Sequence, residues 1–265
     1  MDKTGNDERR ILFACYTAKS RSTENFVHAH SICYVQTGIL EFQLPDTKLS
    51  FKAGESFFVK RNSLARTTKY PGEGGEFRSI SVFFGQEMLQ HFGQENNLVK
   101  SNNFTNIPAV TQLRSDRLLK NYFDSLPVYE EESVSQSLIS IKMEEGITLL
   151  IARHPELKNV LLDFSEPGKV DLEEFMVRNY KFNVDLKKFA HLTGRSLATF
   201  KRDFEKIFHS SPNRWIQQKR LEEAKFLIKE KGMKPSEVYL EVGFEDLSHF
   251  SFAFKKSFGV APSFI

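Results

Sequence analysis

At 265 residues, with 40% hydrophobic and 27% charged side chains, the chain can form one large or two ordinary domains and has a soluble, globular composition. No apolar run approaches the roughly 20 residues of a membrane span, MDKTGNDERR does not read as a signal peptide, and Cys15 and Cys33 are too few for a disulfide framework or a cysteine zinc cage. The net charge of +3 is uneven: residues 170–265 hold 17 Lys and Arg against 13 Asp and Glu, a net of +4 that leans toward an anionic partner.

The first hundred residues read as strands. ILFACYTA, SICYVQTGILEFQL, KLSFKAGESFFV and RSISVFF are rich in aromatic and β-branched residues with broken period-two alternation. Thr37-Gly38, Pro45-Asp46, Ala53-Gly54 and the run from Pro71 to Gly75 separate them as turns, so an antiparallel sandwich or small barrel is expected. Phe57, Phe58, Phe77, Phe83 and Phe84 are expected to fill its core rather than line a ligand pocket.

After residue 106 the period changes. A helix is expected over Ser115–Leu126 and a stronger one over Ser133–Arg153, stopped near Pro155. The second carries a stripe of Ile139, Met143, Ile147, Leu150 and Ile151, with Leu138, Ile141 and Leu149 as another apolar edge. Apolar on two sides, it either packs against the sheet or is shared with a second subunit. FSEPGK, residues 164–169, reads as a linker, and all that follows as helix and short turn.

That last third contains a repeat. Phe200, Phe204 and Phe208 match Phe250, Phe254 and Phe258 at an offset of 50 positions, as Pro212 matches Pro262. At about 100° per residue, phenylalanines four apart form one apolar stripe. Each helix opens on an N-cap residue, Ser196 or Asp246, after a turn containing Gly194 or Gly243 and a short apolar helix. This is the pattern of a helix-turn-helix, present twice. Recognition helices are thus expected at about 196–208 and 246–258, the first presenting Ala198, Arg202, Glu205 and Lys206 with Lys201 on a flank, the second Ser248, Phe252, Lys255 and Lys256 with Ser251 on a flank. Small, hydroxyl and cationic side chains suit a helix lying in the major groove. Between the units, PNRWIQQKRLEEAKFLIKE reads as a rigid spacer offering Asn213, Arg214, Gln217, Gln218, Lys219 and Arg220 to solvent or phosphate.

On the motifs GRSLATFKRDFEKIF, KRLEEAKFLI and VYLEVGFEDLSHFSFAFKKSFGVAPS, residues 182–264 resemble the DNA-binding domain of the AraC/XylS family of bacterial transcription regulators. The resemblance implies two helix-turn-helices reading adjacent major-groove segments on one face of double-stranded promoter DNA. The family's base-contacting positions fall on Leu197, Ala198, Lys201 and Arg202, then on Leu247, Ser248, Ser251 and Phe252. Phe252 stands where the family often has arginine, which puts guanine readout there in doubt: an outward phenylalanine either touches a thymine methyl or packs on a neighbouring loop or the N-terminal domain. Arg195, Lys206, Arg214, Lys219, Lys255 and Lys256 are expected to hold phosphates.

HAHSICYVQTG, residues 28–38, puts two histidines in H-x-H spacing on a strand and resembles the first motif of cupins, small β-barrels found at the N-terminus of many such regulators. Tyr34 and Val35 stand where a carboxylate ligand would be needed, and Glu55 to Phe58 offer no further histidine. No metal site and no cofactor are therefore expected. The same gap weighs against a cupin-type metal-dependent enzyme fused to a helical module.

The expected protein is α+β with two domains. A cupin-like antiparallel β-barrel with flanking helices, residues 1–163, senses a small-molecule effector or a protein partner and forms a homodimer through 133–153. An all-α domain with two helix-turn-helix units, residues 170–265, binds DNA. It is expected in the cytoplasm, without enzymatic activity, acting with RNA polymerase.

Overall fold

A computed structural model describes residues 11–22, 25–100, 107–131 and 134–265. The opening ten residues and Ser133, the expected start of the long helix, lie outside the described residues. The described residues form two compact units, one reaching Ser165 and one starting at Glu166; Ser22, Asn25, Phe26 and residues 64–66 group with the second.

The first unit is built on antiparallel strands. Five of them, β1 (Ile11–Tyr16), β4 (His30–Thr37), β7 (Ser56–Val59), β10 (Phe77–Phe84) and β11 (Val110–Gln112), form a sheet in the order β1-β10-β4-β7-β11. A second sheet has the order β2-β9-β5-β6, from β2 (Ser20–Arg21), β5 (Ile39–Gln43), β6 (Lys48–Lys52) and β9 (Arg66–Tyr70). β3 (Phe26–Val27) and β8 (Ser63–Leu64) pair separately. Gly38 and the turn at 53–55 carry the chain between the two sheets, from β4 to β5 and from β6 to β7, while β5 and β6 pair as a hairpin within the second sheet.

The broken alternation has a physical cause. The central strands are buried on both faces, so they carry apolar side chains on both. Phe57 looks toward the second sheet, stacking on Phe51 at 4.2 Å and meeting Phe42 edge-on at 5.2 Å. Ile32, Phe58, Ile80, Val82 and Phe84 look the other way, into a core closed by helices. Each such buried side chain contributes about 1.5–3 kcal/mol. Phe57, Phe58, Phe77 and Phe84 are fully buried and Phe83 half-buried. A register shift between Arg78 and Ser79 completes the irregularity.

The helices of this unit are α1 (Gln86–Glu95), α2 (Arg117–Asp124), α3 (Val128–Glu131), α4 (Gln136–Arg153) and α5 (Lys158–Leu161). α1 corrects the all-strand expectation for the first hundred residues: Leu89 and Phe92 are buried at helical spacing on one side of it. Asp116 caps α2, accepting from the Leu118 amide at 2.7 Å. α4 lays Met143, Gly146, Ile147 and Leu150 on the sheet and leaves Leu138 and Ile141 exposed.

His30 sits inside this unit, stacked on Phe58, and its Nδ1 accepts from the Arg61 amide at 3.2 Å. Burial, then the Arg61 and Lys60 charges, push its pKa down to about 3, so the ring is neutral. Among the described residues no group of three or more His, Cys, Asp or Glu is placed to hold a metal ion, and no helix is long and apolar enough to cross a membrane.

The second unit is helical: α6 (Leu172–Asn179), α7 (Leu186–Leu192), α8 (Leu197–Phe208), α9 (Pro212–Lys231), α10 (Pro235–Glu241) and α11 (Leu247–Phe258). Its apolar interior is divided. Leu172, Met176, Phe182, Phe189, Phe200 and Phe204 gather around Ile216 near the start of α9. Val238, Val242, Phe244, Phe250 and Phe254 gather around Leu221, Ala224 and Ile228 further along it.

Candidate nucleic-acid interface

Each recognition helix is positioned from its own sequence. Ser196 caps α8 by accepting from the Thr199 amide at 3.2 Å, and Asp246 caps α11 through the His249 amide at 2.6 Å. Phe200, Phe204, Phe250 and Phe254 are fully buried. Phe208 lies 4.4 Å from the Trp215 ring on α9, while Phe258 packs on the second core. With the phenylalanine stripe inside, the opposite face must point out.

The turn before α8 is held by three groups. Gly194 has φ +63°, and a Cβ there would meet the Gly168 backbone at 2.4 Å. The buried Thr193 hydroxyl donates to the Phe189 carbonyl at 2.9 Å or the Ala190 carbonyl at 3.0 Å. The Arg195 guanidinium donates to the carbonyls of Thr193 at 2.7 Å and Val170 at 3.0 Å, and to the Asp203 carboxylate at 3.2 Å. That hydrogen bond, foremost, holds the Asp203 pKa below the usual carboxylate range.

The outward faces carry the side chains read from the sequence. Ala198, Lys201, Arg202, Glu205 and Lys206 are exposed on α8, and Leu247, Ser248, Phe252, Lys255 and Lys256 on α11, with Leu197 and Ser251 half-buried. Phe252 is 68% exposed, an apolar ring held in solvent beside two lysines. The Arg202 side chain is 67% exposed, its Nε 3.6 Å from Asp203. The two faces thus differ in chemistry: cationic at the centre of α8, apolar and hydroxyl at the centre of α11.

Two arginines stand apart from their expected role. Arg195, a phosphate candidate, has a side chain only 11% exposed and spends its donors on the turn. Arg220, expected to face solvent or phosphate, is half-buried across four acceptors: the carbonyls of Tyr180, Phe182 and Gly243 at 2.8, 2.9 and 2.8 Å, and the Asn183 side chain at 3.4 Å. Burial pulls its pKa down to about 10. Both cases have one cause, since a guanidinium that saturates loop carbonyls is indistinguishable in sequence from one that meets phosphate. Arg214 and Lys219 remain exposed on α9; Lys219 lies 3.4 Å from Glu222 and over the Trp215 ring at 5.9 Å.

Comparison with known proteins places two family models on the chain. A helix-turn-helix domain matches residues 189–265 and the ExsA N-terminal regulatory domain matches residues 30–161. The HTH-type transcriptional regulator ExsA of Pseudomonas aeruginosa is 28% identical over 229 residues, covering 85% of this chain and 82% of ExsA. The thermoregulatory protein LcrF of Yersinia pestis is 25% identical over 236 residues, covering 85% and 84%. A crystal structure of apo ToxT from Vibrio cholerae aligns over 96% of both chains at 12% identity, with a TM-score of 0.46.

Proposed function

We propose that the chain, a DNA-binding transcription regulator, is of the AraC/XylS family and that α8 and α11 read adjacent major-groove segments on one face of the duplex. The observation that carries this reading is the repeat: two capped helices of equal length, 50 positions apart, each burying phenylalanines and exposing small, hydroxyl and cationic side chains. Ala198, Lys201 and Arg202 on α8, with Ser248, Ser251 and Phe252 on α11, face base edges. Lys201 and Arg202 suit guanine, and Phe252 a thymine methyl. Lys206, Arg214, Lys219, Lys255 and Lys256 hold phosphates and set the register without specifying sequence.

In this reading the first unit is a cupin-like regulatory domain rather than an enzyme. The Phe42–Phe51–Phe57 packing favours a protein partner on its outside over a small molecule between the sheets. α4 makes a homodimer through its exposed Leu138–Ile141 edge, and the assembled protein acts in the cytoplasm with RNA polymerase at a promoter. The test is selection of random duplexes by the full chain, followed by binding against salt. A motif with two elements about one helical turn apart, roughly 34 Å, and a steep salt dependence support the reading. No enriched motif and a flat salt response would overturn it.

A further inference from the structure

The two apolar cores of the DNA-binding unit share α9 but no buried residue, so hydrophobic packing holds each recognition helix to α9 separately. Arg220 lies on α9 between Ile216, which belongs to the first core, and Leu221, which belongs to the second. Its guanidinium reaches in both directions. Toward the first helix-turn-helix it donates to the Tyr180 and Phe182 carbonyls and the Asn183 side chain, in the loop that leads into α7. Toward the second it donates to the carbonyl of Gly243, in the turn between α10 and α11.

The loop and the turn also press directly on each other. Gly243 has φ +98°, and a Cβ on it would fall 2.2 Å from the Lys181 carbonyl oxygen and 3.0 Å from the Arg220 guanidinium. The Lys181 ammonium in turn reaches the Glu223 carboxylate on α9 at 2.7 Å. Loop, spacer helix and turn thus meet at one polar joint, and the planar five-donor fork of arginine satisfies carbonyls on both sides of it.

We infer that Arg220 is a positioning residue that fixes the separation and angle between α8 and α11, and thereby sets the spacing between the two DNA elements the protein accepts. The inference rests on the double-reader reading above. One inserted base pair moves the second element by about 3.4 Å and turns it by about 34°. A rigid joint cannot follow that displacement, so one helix loses its base contacts. A loosened joint follows it in part, but binds the correct spacing less tightly because orientation must be fixed on binding.

The experiment takes the two-element duplex recovered by selection and versions with one base pair added or removed between the elements. It measures full-chain binding of wild type, Arg220→Met and, as a milder change should Arg220→Met fail to fold, Arg220→Lys, which keeps the charge without the fork. Wild type is expected to lose about tenfold or more in affinity on either shifted duplex. The variants are expected to bind the original duplex more weakly and to lose only a few-fold further on the shifted ones, with salt slopes unchanged. Folded variants that keep the wild-type affinity and the wild-type penalty for shifted spacing would overturn the role of Arg220 while leaving the double reader intact. Failure of wild type to select any two-element duplex would remove the double reader itself.

Discussion

Arg195 and Asp203 face each other at 3.2 Å, joining the turn of the first helix-turn-helix to the body of its recognition helix. Arg195 therefore belongs to the folded frame, and its loss should be distinguishable from the loss of a phosphate contact. Arg195→Ala is expected to lower the thermal midpoint while leaving the slope of log affinity against log salt unchanged. Arg195→Lys should not restore stability, because an ammonium lacks the fork that reaches three acceptors. Lys256→Ala should do the reverse, keeping the midpoint and flattening the salt slope by about one unit. A flattened slope in Arg195→Ala would return that residue to the phosphate contacts.

The outward chemistry of the two recognition helices differs, so their deletions should differ too. Arg202→Ala is expected to cost about 1–3 kcal/mol on the selected site and relax preference at one base pair. Phe252→Ala should instead lose discrimination at a thymine. Replacing that thymine by deoxyuridine removes only the methyl group, and should weaken wild type while leaving Phe252→Ala unaffected. Equal binding of the two duplexes by wild type would sink the thymine contact.

His209 ends α8 at φ 50°, ψ 30°, a left-handed conformation that the matching position of α11 gives to Gly259 at φ 80°. A side chain there is strained by crowding against the following carbonyl. His209→Gly is expected to stabilise the chain by about 0.5–1 kcal/mol, after subtracting the greater unfolded-state entropy of glycine. Urea unfolding should show a higher midpoint at unchanged slope; a lower midpoint would refute the strain.

Neutral, buried His30 links stability to pH. Its pKa is near 6.5 in the unfolded chain and about 3 in the folded one, with the Asp163 charge opposing the shift only in part. Between these values the unfolded state binds the extra proton, so stability falls as pH drops below about 6.5, by up to ~1.4 kcal/mol per unit. Above that pH this residue adds no dependence. His30→Asn, whose side-chain oxygen can still accept from the Arg61 amide, should flatten urea-midpoint profiles between pH 7.5 and 5. Parallel profiles for the two proteins would contradict the assignment.

Ile141 is 58% exposed on α4, one turn from exposed Leu138. Ile141→Glu is expected to shift the chain from dimer to monomer in sedimentation without unfolding it, since the face of α4 that packs on the sheet is untouched. A wild-type chain already monomeric at micromolar concentration would remove α4 as the dimer helix.

The repeat, the caps and the outward face of each recognition helix follow from residue spacing alone. Phenylalanines at four-residue spacing leave one way to bury a stripe, so Phe252 was bound to face solvent. The sandwich was legible for the same reason, through strands rich in branched and aromatic residues between glycine turns. α1 was not, because its few apolar positions follow a strand ending in three bulky residues. The surroundings of Arg195, Arg220 and His30 became visible with the packed chain. Each bonds, among other partners, to backbone groups of segments distant in sequence: Arg195 reaches Val170, Arg220 reaches Tyr180, Phe182 and Gly243, and His30 reaches Arg61. Carbonyls and amides are present at every position and leave no mark on the residue sequence. Which of them a half-buried cation or a buried imidazole satisfies is fixed by chain packing alone.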